Sequence, residues 1–448
     1  MSRGHTAGYS VHPLPATLSA EQLAENFAEI APPLSGDAAL LEANKCLMCY
    51  DAPCTIACPT HIDVPAFIKK IASGNMRGSA RVILDANPMG HSCARACPVE
   101  VLCEGACVLN ERDEQPIKIA LLQRHATDWA LATDYQPFHA GKSNGKTVAI
   151  VGAGPAGLSC ARDLRRFGFA VTIYEERDQA GGLNTYGIAE YKMRMPLALA
   201  EAKMVLDLGV DLKTGVRVGR DVSMDQLKKD FDAVFIAIGL GATRRLGIPG
   251  EEIAGVSDAL TFIDHLKSHP HERTPIGRNV VVVGAGNTAI DAATQAKRLG
   301  AERVTLVYRR GAEDMSAYDY ELELARKDGC EFRLNTVPKK ILGDARVTGI
   351  ECVRSELGAP GAAGKRAFKE VANSTHILEC DTVFRALGQT PHGDLAKAFG
   401  LRVDGLRLVS DNPKVLVGGD AGSGGAEIVN AAAEGVQAAK KLQEILGA

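Results

Sequence analysis

Thr147-Val148-Ala149-Ile150-Val151-Gly152-Ala153-Gly154-Pro155-Ala156-Gly157 runs from an apolar, β-branched stretch into a glycine loop and then into a helical pattern. Strand, Gly-x-Gly-x-x-Gly and helix in that order are the signature of a dinucleotide-binding unit. Gly152 permits the tight turn, Gly154 lets backbone amides approach a pyrophosphate, and Gly157 lets the helix pack on the strand. Pro155 and Ala156 open the helix, whose dipole and free N–H groups favour a phosphate at its N-terminus. The next predicted strand ends at Glu175, 23 residues after Gly152, about where a carboxylate grips ribose hydroxyls.

The same unit recurs about 130 residues later as Val283-Gly284-Ala285-Gly286-Asn287-Thr288-Ala289. Here the following strand ends in Tyr308-Arg309-Arg310 rather than in an acid. Paired guanidinium groups suit the 2′-phosphate of NADP, although a solvated basic pair is the plainer reading, so NADP(H) and NAD(H) both stay open. Strand-like runs at 147–151, 171–175, 233–238, 279–283, 303–308, 382–386 and 415–417 alternate with helical patterns. That alternation predicts parallel, doubly wound sheets. Near the C-terminus, Gly418-Gly419-Asp420-Ala421 precedes a helical run opening at Glu427-Ile428-Val429. A carboxylate there can hold ribityl or ribose hydroxyls, and a helix N-terminus aimed at a flavin would stabilise negative charge on the reduced ring.

Upstream of residue 140 the texture is different, with helical patterns at 21–30, 64–73, 77–85 and 117–132 and few strand signals. Eight of the twelve cysteines fall within the 62 residues from Cys46 to Cys107. They read Cys46-x2-Cys49-x4-Cys54-x3-Cys58-Pro59 and Cys93-x3-Cys97-Pro98-x5-Cys103-x3-Cys107. Short spacings and Cys-Pro ends point to iron–sulfur ligation, and eight thiols suggest two 4Fe–4S cubanes. Zinc is the competing reading, but its sites usually pair two-residue spacings, and a single one occurs here. Counting does not assign each cysteine to its iron.

Bulk composition sets the outer limits. The 448 residues are 46% hydrophobic and 23% charged with net charge −3, so large cores are expected and no basic stripe argues for nucleic acid. No run approaches the roughly 20 apolar residues of a transmembrane helix, and no secretory leader is evident, so a soluble, cytoplasmic protein without a membrane partner is expected. Pro13, Pro15, Pro32 and Pro33 mark residues 1–40 as irregular, and an ordered arm and a loose tail look alike there.

In combination, the two glycine loops and the terminal Gly-Asp resemble the flavoproteins built from two dinucleotide-binding domains. That resemblance implies an α/β fold: two Rossmann-like domains, for FAD and for NAD(P), preceded by an α-helical iron–sulfur domain. The implied boundaries are 1–140 for the iron–sulfur domain, 146–248 with 385–448 for a discontinuous FAD domain, and 249–384 for the NAD(P) domain. The FAD site would comprise Gly152, Gly154, Pro155, Ala156, Gly157, Glu175, Gly182, Leu183, Lys192, Gly419, Asp420 and Val429. The NAD(P) site would comprise Gly284, Ala285, Gly286, Asn287, Thr288, Arg309, Arg310, Ala386 and Gly388. Ala237-Ile238-Gly239 and Ala386-Leu387-Gly388 match the family's crossover points between domains.

The stretch from Cys46 to Asp128 resembles the iron–sulfur domain shared by dihydropyrimidine dehydrogenase and the glutamate synthase small subunit. Asp51-Ala52-Pro53-Cys54, Cys58-Pro59-Thr60, Asn87-Pro88-x-Gly90, Pro116-Ile117-x-Ile119 and Leu122-Gln123-x-x-Ala126-Thr127 look like the pyrimidine enzyme. By that resemblance one cluster uses Cys46, Cys49, Cys54 and Cys107, and the other uses Cys58, Cys97, Cys103 and Gln123, leaving Cys93 as a structural neighbour. The glutamate synthase subunit usually has glutamate where Gln123 stands. Three positions depart from the family pattern: Lys192 and Ser316 stand where the eukaryotic enzymes have arginine, and Asn287 replaces an acid common in the second glycine loop. The full-length eukaryotic enzyme continues into an FMN barrel with further clusters, and by this resemblance a pyrimidine site is expected on a separate subunit rather than in this chain.

The resemblance therefore implies an enzyme without an assigned acid–base residue, in which hydride passes from nicotinamide to flavin and electrons leave singly through two clusters. They would reach an FMN- and iron–sulfur-containing catalytic subunit that reduces uracil or thymine. The alternatives are a glutamate synthase small-subunit-like NADPH oxidoreductase and a general electron-transfer module for another reductase.

Overall fold

In the computed structural model, which describes residues 18–112, 115–360 and 366–447, each glycine loop sits at the end of the central strand of a five-stranded parallel sheet. The first sheet runs Val415–Val417, Ala233–Ile236, Thr147–Val151, Ala170–Tyr174, Asp211–Lys213, with Val148 facing both Val171 and Ala233. The second runs Val256–Asp258, Thr382–Arg385, Asn279–Val283, Arg303–Val307, Glu331–Arg333. Helices cover the faces, so Val148, Ile150, Val280 and Val282 are buried, as β-branched runs in parallel sheets require.

The last strand of the first sheet arrives from the C-terminus, and the helix after it, Ile428–Leu446, lies on the loop helix Pro155–Arg166. Contact is so close that a Cβ on Gly435 would stand 2.2 Å from the Ala156 carbonyl oxygen. The C-terminal segment thus becomes a wall of the first glycine loop's site.

Amphipathic helices make up the N-terminal region. Asp63 caps Val64–Ala72 through Ala66 N, and that helix buries Phe67, Ile68 and Ile71; Asn75 caps Met76–Ala86 through Gly78 N. Arg162 of the loop helix is fully buried and donates to the carbonyls of Leu84 (3.2 Å) and Asp85 (2.9 Å), the open C-terminal end of Met76–Ala86. One hydrophobic core runs through both regions, joining Phe67, Ile83 and Leu122 to Val148, Leu158 and Leu442. The cysteine-bearing helices and the first sheet therefore pack as one body.

The helix expected over 21–30 is present but shorter, and neither its docking nor an antiparallel sheet was expected. Residues 20–26 form a helix that docks on the second sheet's core, placing Leu23 and Phe27 against Phe262, Ala296 and Leu299. Pro13 and Pro15 lie outside the described residues. The strands Thr336–Leu342, Gly349–Pro360, Arg366–Glu370 and His376–Glu379 form a separate antiparallel sheet. Its strands are rich in lysine and glutamate and largely solvent-facing, so they carry little apolar signal, and the sheet is anchored through Ile341, Val347, Ile350 and Cys352. Among the described residues, no helix is long and apolar enough to cross a membrane.

Candidate cofactor site

The first glycine loop has the geometry that its sequence demands. Gly152 has φ +102°, and a Cβ there would meet the Ala237 carbonyl oxygen at 2.4 Å; a Cβ on Gly157 would lie 2.0 Å from the Gly152 carbonyl oxygen. The second loop repeats the device, with Gly284 at φ +147° against the Ala386 carbonyl oxygen.

Beneath the first loop is a cavity of about 360 Å³. Gly152, Gly154, Pro155, Ala156, Glu175, Gly182, Leu183, Lys192, Gly419 and Asp420 line it, together with Asn287 and Thr288 from the second loop. Gly157 and Val429 lie immediately behind the lining, in the two packed helices. Gly182 must lack a side chain, since its Cβ would stand 2.9 Å from the Gly154 Cα, across the loop where a pyrophosphate would pass. The free amides at the start of Pro155–Arg166 and this open glycine channel fit a bound FAD.

Gly284, Ala285, Gly286, Arg309, Arg310, Ala386 and Gly388 lie outside that lining, on the second sheet. The Ala285 carbonyl accepts from Ser316 N and Ala317 N, at 3.2 and 3.1 Å. Arg309 lies over the Phe368 ring at 5.2 Å, and Arg310 Nε donates to the Arg366 carbonyl oxygen at 3.1 Å. The two arginines therefore face the antiparallel sheet, beside the end of Arg303–Val307.

Polar contacts at the cavity join the two sheets. Lys192 Nζ lies 2.7 Å from Asp291 Oδ1 and 2.5 Å from Glu321 Oε1, all three side chains being buried. Burial alone would depress the Lys192 pKa, but the two carboxylates outweigh it and raise it, so the ammonium stays charged. Burial raises the Glu321 pKa, with Lys192 pulling it back. Tyr191 donates its hydroxyl to Asp291 Oδ1 at 2.8 Å. Arg177 pairs with both oxygens of Asp264, at 2.9 and 2.7 Å, and stacks over the Tyr186 ring at 3.5 Å. Tyr318 donates to Glu427, at the start of the last helix, over 2.7 Å.

Glu175 lies at the cavity edge as the spacing predicts. Its Oε2 accepts from Ala153 N (2.8 Å) and its Oε1 from Arg177 N (2.9 Å), while burial raises its pKa. Burial also raises the pKa of Asp420, whose Oδ1 accepts from Ala426 N. Sequence reading missed Arg177, Asp291, Glu321 and Tyr318. None of them belongs to a recognisable motif, and the role of each is created by the approach of the other sheet.

The cysteines gather in two places. Cys46, Cys49, Cys54 and Cys107 line a gap of about 20 Å³ walled by Ile68, Leu109 and Ile117. Burial, then repulsion from Cys46, pushes the Cys54 thiol up to about 11. Cys97 is held well above the usual thiol range by its hydrogen bond with Cys93 and by burial, with Cys103 and Cys58 adding to the shift. Among the described residues no three His, Cys, Asp or Glu side chains converge tightly enough for one metal ion; the thiols surround a space instead. Thiols crowded around such spaces suit a cationic iron–sulfur core, which would displace their protons. Cys93 accepts from Asn87 Nδ2 at 3.2 Å, and Gln123 donates its Nε2 to the Gly90 carbonyl at 2.7 Å, turning Oε1 away from that bond.

Residues 23–135 match the family model described as dihydropyrimidine dehydrogenase domain II, 4Fe-4S cluster. Residues 146–435 match the model described as pyridine nucleotide-disulphide oxidoreductase. The chain belongs to that oxidoreductase family. This oxidoreductase thus joins a 4Fe–4S domain to an FAD- and NADP-binding domain. It is 35% identical to the glutamate synthase (NADPH) small chain of Escherichia coli over 446 residues, covering 94% of each chain. It is 39% identical over 348 residues to the NADPH-Fe(3+) oxidoreductase subunit beta of Geobacter sulfurreducens, covering 76% of this chain and 51% of that one. In fold it resembles FprA of Mycobacterium tuberculosis in complex with NADPH (TM-score 0.56, 23% identity), over 67% of this chain and 85% of that one.

Proposed function

We propose that the oxidoreductase is the electron-input chain of a larger assembly, taking hydride from NADPH at FAD and passing electrons singly through two 4Fe–4S clusters to a partner. The observation that carries this is one cavity lined by the first glycine loop, by Asn287 and Thr288 of the second, and by Ala96, which adjoins Cys97. Bound FAD supplies the exchange between two-electron and one-electron chemistry. The protein's part is alignment. The helix N-terminus at Pro155 and the glycine channel at Gly154 and Gly182 hold the pyrophosphate, while Glu175 and Asp420 hold hydroxyls. Lys192, fixed by Asp291 and Glu321, places a cation where the two sheets meet.

In this reading residues 1–140 form the iron–sulfur unit, 146–248 with 385–448 the FAD unit, and 249–384 the NAD(P) unit, with Ala386 and Gly388 at the crossover. Gly284, Ala285, Gly286, Asn287 and Thr288 would receive the nicotinamide dinucleotide, with Arg309 and Arg310 beside its 2′-phosphate. One cluster would take Cys46, Cys49, Cys54 and Cys107; the other would take Cys58, Cys97, Cys103 and Gln123. A partner is supported by the relatives, which are named as a small chain and a subunit beta.

The full-length likeness to glutamate synthase small chains supports that type of partner first. Gln123, held against the cluster helix through Gly90, favours the second reading, a dihydropyrimidine dehydrogenase with an FMN-containing partner. The test is anaerobic NADPH oxidation by the isolated chain with a dye acceptor, then with each candidate partner. Consumption of glutamine and 2-oxoglutarate with a synthase large subunit supports the first; uracil turnover with an FMN subunit supports the second. No dye reduction by an FAD-loaded chain refutes both.

A further inference from the structure

Ser92, on the cysteine helix Gly90–Ala96, is fully buried at the boundary with the first sheet's region. Its hydroxyl donates to Glu201 Oε2, and its backbone N–H, with that of His91, donates to Glu201 Oε1 at 3.2 and 2.8 Å. Glu201 is 1% exposed and belongs to Met195–Leu206, outside the iron–sulfur region. From the other side, Asn184 Nδ2 donates to Ser92 Oγ at 2.9 Å. The Asn184 amide nitrogen has only protons to give, so Ser92 Oγ accepts there and keeps its own proton for Glu201. Asn184 is 2% exposed and sits between Leu183 and Thr185 in the short helix after Gly182, on the cavity wall. Ala96, at the other end of Ser92's helix, lines the same cavity.

We infer that Asn184, Ser92 and Glu201 are positioning residues that clamp the flavin loop to the helix carrying Cys97 and so set the gap that electrons cross between flavin and cluster. The three are not adjacent in sequence, none has a place in the glycine-loop or cysteine motifs, and their polar atoms are removed from water. Buried contacts of this kind favour one arrangement, because separating the segments would strand Ser92 Oγ, Asn184 Nδ2 and the Glu201 carboxyl away from water. The inference rests on the proposed FAD site and the proposed cluster ligation by Cys97.

The test compares Ser92→Ala and Asn184→Ala with the wild-type chain, each loaded with FAD and iron and mixed anaerobically with NADPH. Flavin bleaching and cluster bleaching are followed separately. In Ser92→Ala, flavin bleaching keeps its rate while cluster bleaching lags several-fold behind it. Hydrogen exchange in the flavin-free protein gives an independent readout: amides of residues 182–188 and 91–93 speed up together in both variants. If Ser92→Ala does not retain its clusters, Asn184→Ala, which lies off the cysteine helix, is read instead. Cluster bleaching that keeps pace with the flavin, or exchange that changes on one side of the contact alone, overturns the inference. A wild-type chain that binds no FAD would instead sink the cofactor reading.

Discussion

Replacing Lys192 with methionine keeps the length of the side chain and removes its charge, stranding Asp291 and Glu321 where their carboxylates are 9% and 3% exposed. Removing one partner of a buried pair typically costs about 3–5 kcal/mol, because the remaining charge is left uncompensated. Tyr191 still donates to Asp291 and Tyr320 to Glu321, which holds the cost within that range rather than above it. Burial already raises the Glu321 pKa, and loss of Lys192 raises it further. A carboxyl whose folded pKa lies above its unfolded value is most favourable to folding when protonated, and its penalty grows as pH rises from about the unfolded value to the folded one. The deficit of Lys192→Met is therefore about 3–5 kcal/mol at pH 7.5 and shrinks by up to ~1.4 kcal/mol per unit as the pH falls toward 5. Adding Glu321→Gln recovers part of it. Denaturant unfolding of the flavin-free single and double variants at both pH values, followed by circular dichroism, measures these terms. A loss below ~1 kcal/mol at pH 7.5 with no pH dependence would refute the claim that the three side chains form one buried charge network.

Three further outcomes are expected. Burial pushes Glu201 up to about 7, so the folded state binds its proton more tightly than the unfolded chain; wild-type stability should fall by up to ~3 kcal/mol between pH 4.5 and 7, and Glu201→Gln should flatten that slope in the same unfolding assay. Phe27 is 1% exposed with its ring 4.2 Å from that of His271, so Phe27→Ala should cost ~3–5 kcal/mol and expose residues 18–34 to limited proteolysis. Cys107→Ser should lower iron per chain by roughly half in a colorimetric assay while leaving FAD content unchanged, because its gap is walled off from the flavin cavity.

Seven of the ten parallel strands and both glycine loops were legible because their signals are local; the edge strands 211–213, 256–258 and 331–333, only three residues long, were not. Gly152 and Gly157 are glycines for reasons of contact within a few residues or one strand away, and strand 279–283 is apolar because both faces are covered. Helices 64–72 and 119–132 were visible through their period. The helical pattern at 21–30 was visible too, but not its docking, because burial of Leu23 and Phe27 against the second sheet depends on residues more than 230 positions away, such as Phe262 and Leu299. The antiparallel sheet over 336–379 was equally silent, its strands being half solvent-exposed and strongly charged.

The sequence by itself determined the two nucleotide loops, the thiol-rich region and hence the class of chemistry, since each of these is carried by residue types at fixed short spacings. Tertiary structure decided what faces what. Lys192 belongs to Asp291 and Glu321, Arg177 to Asp264, and Ser92 to both Asn184 and Glu201, pairings that span 92 to 129 residues for all but one of these contacts and 87 for the other. Short-range spacing encodes a loop because the backbone there is built from adjacent residues. A buried polar contact between distant segments depends instead on how whole sheets pack, and no local pattern records it.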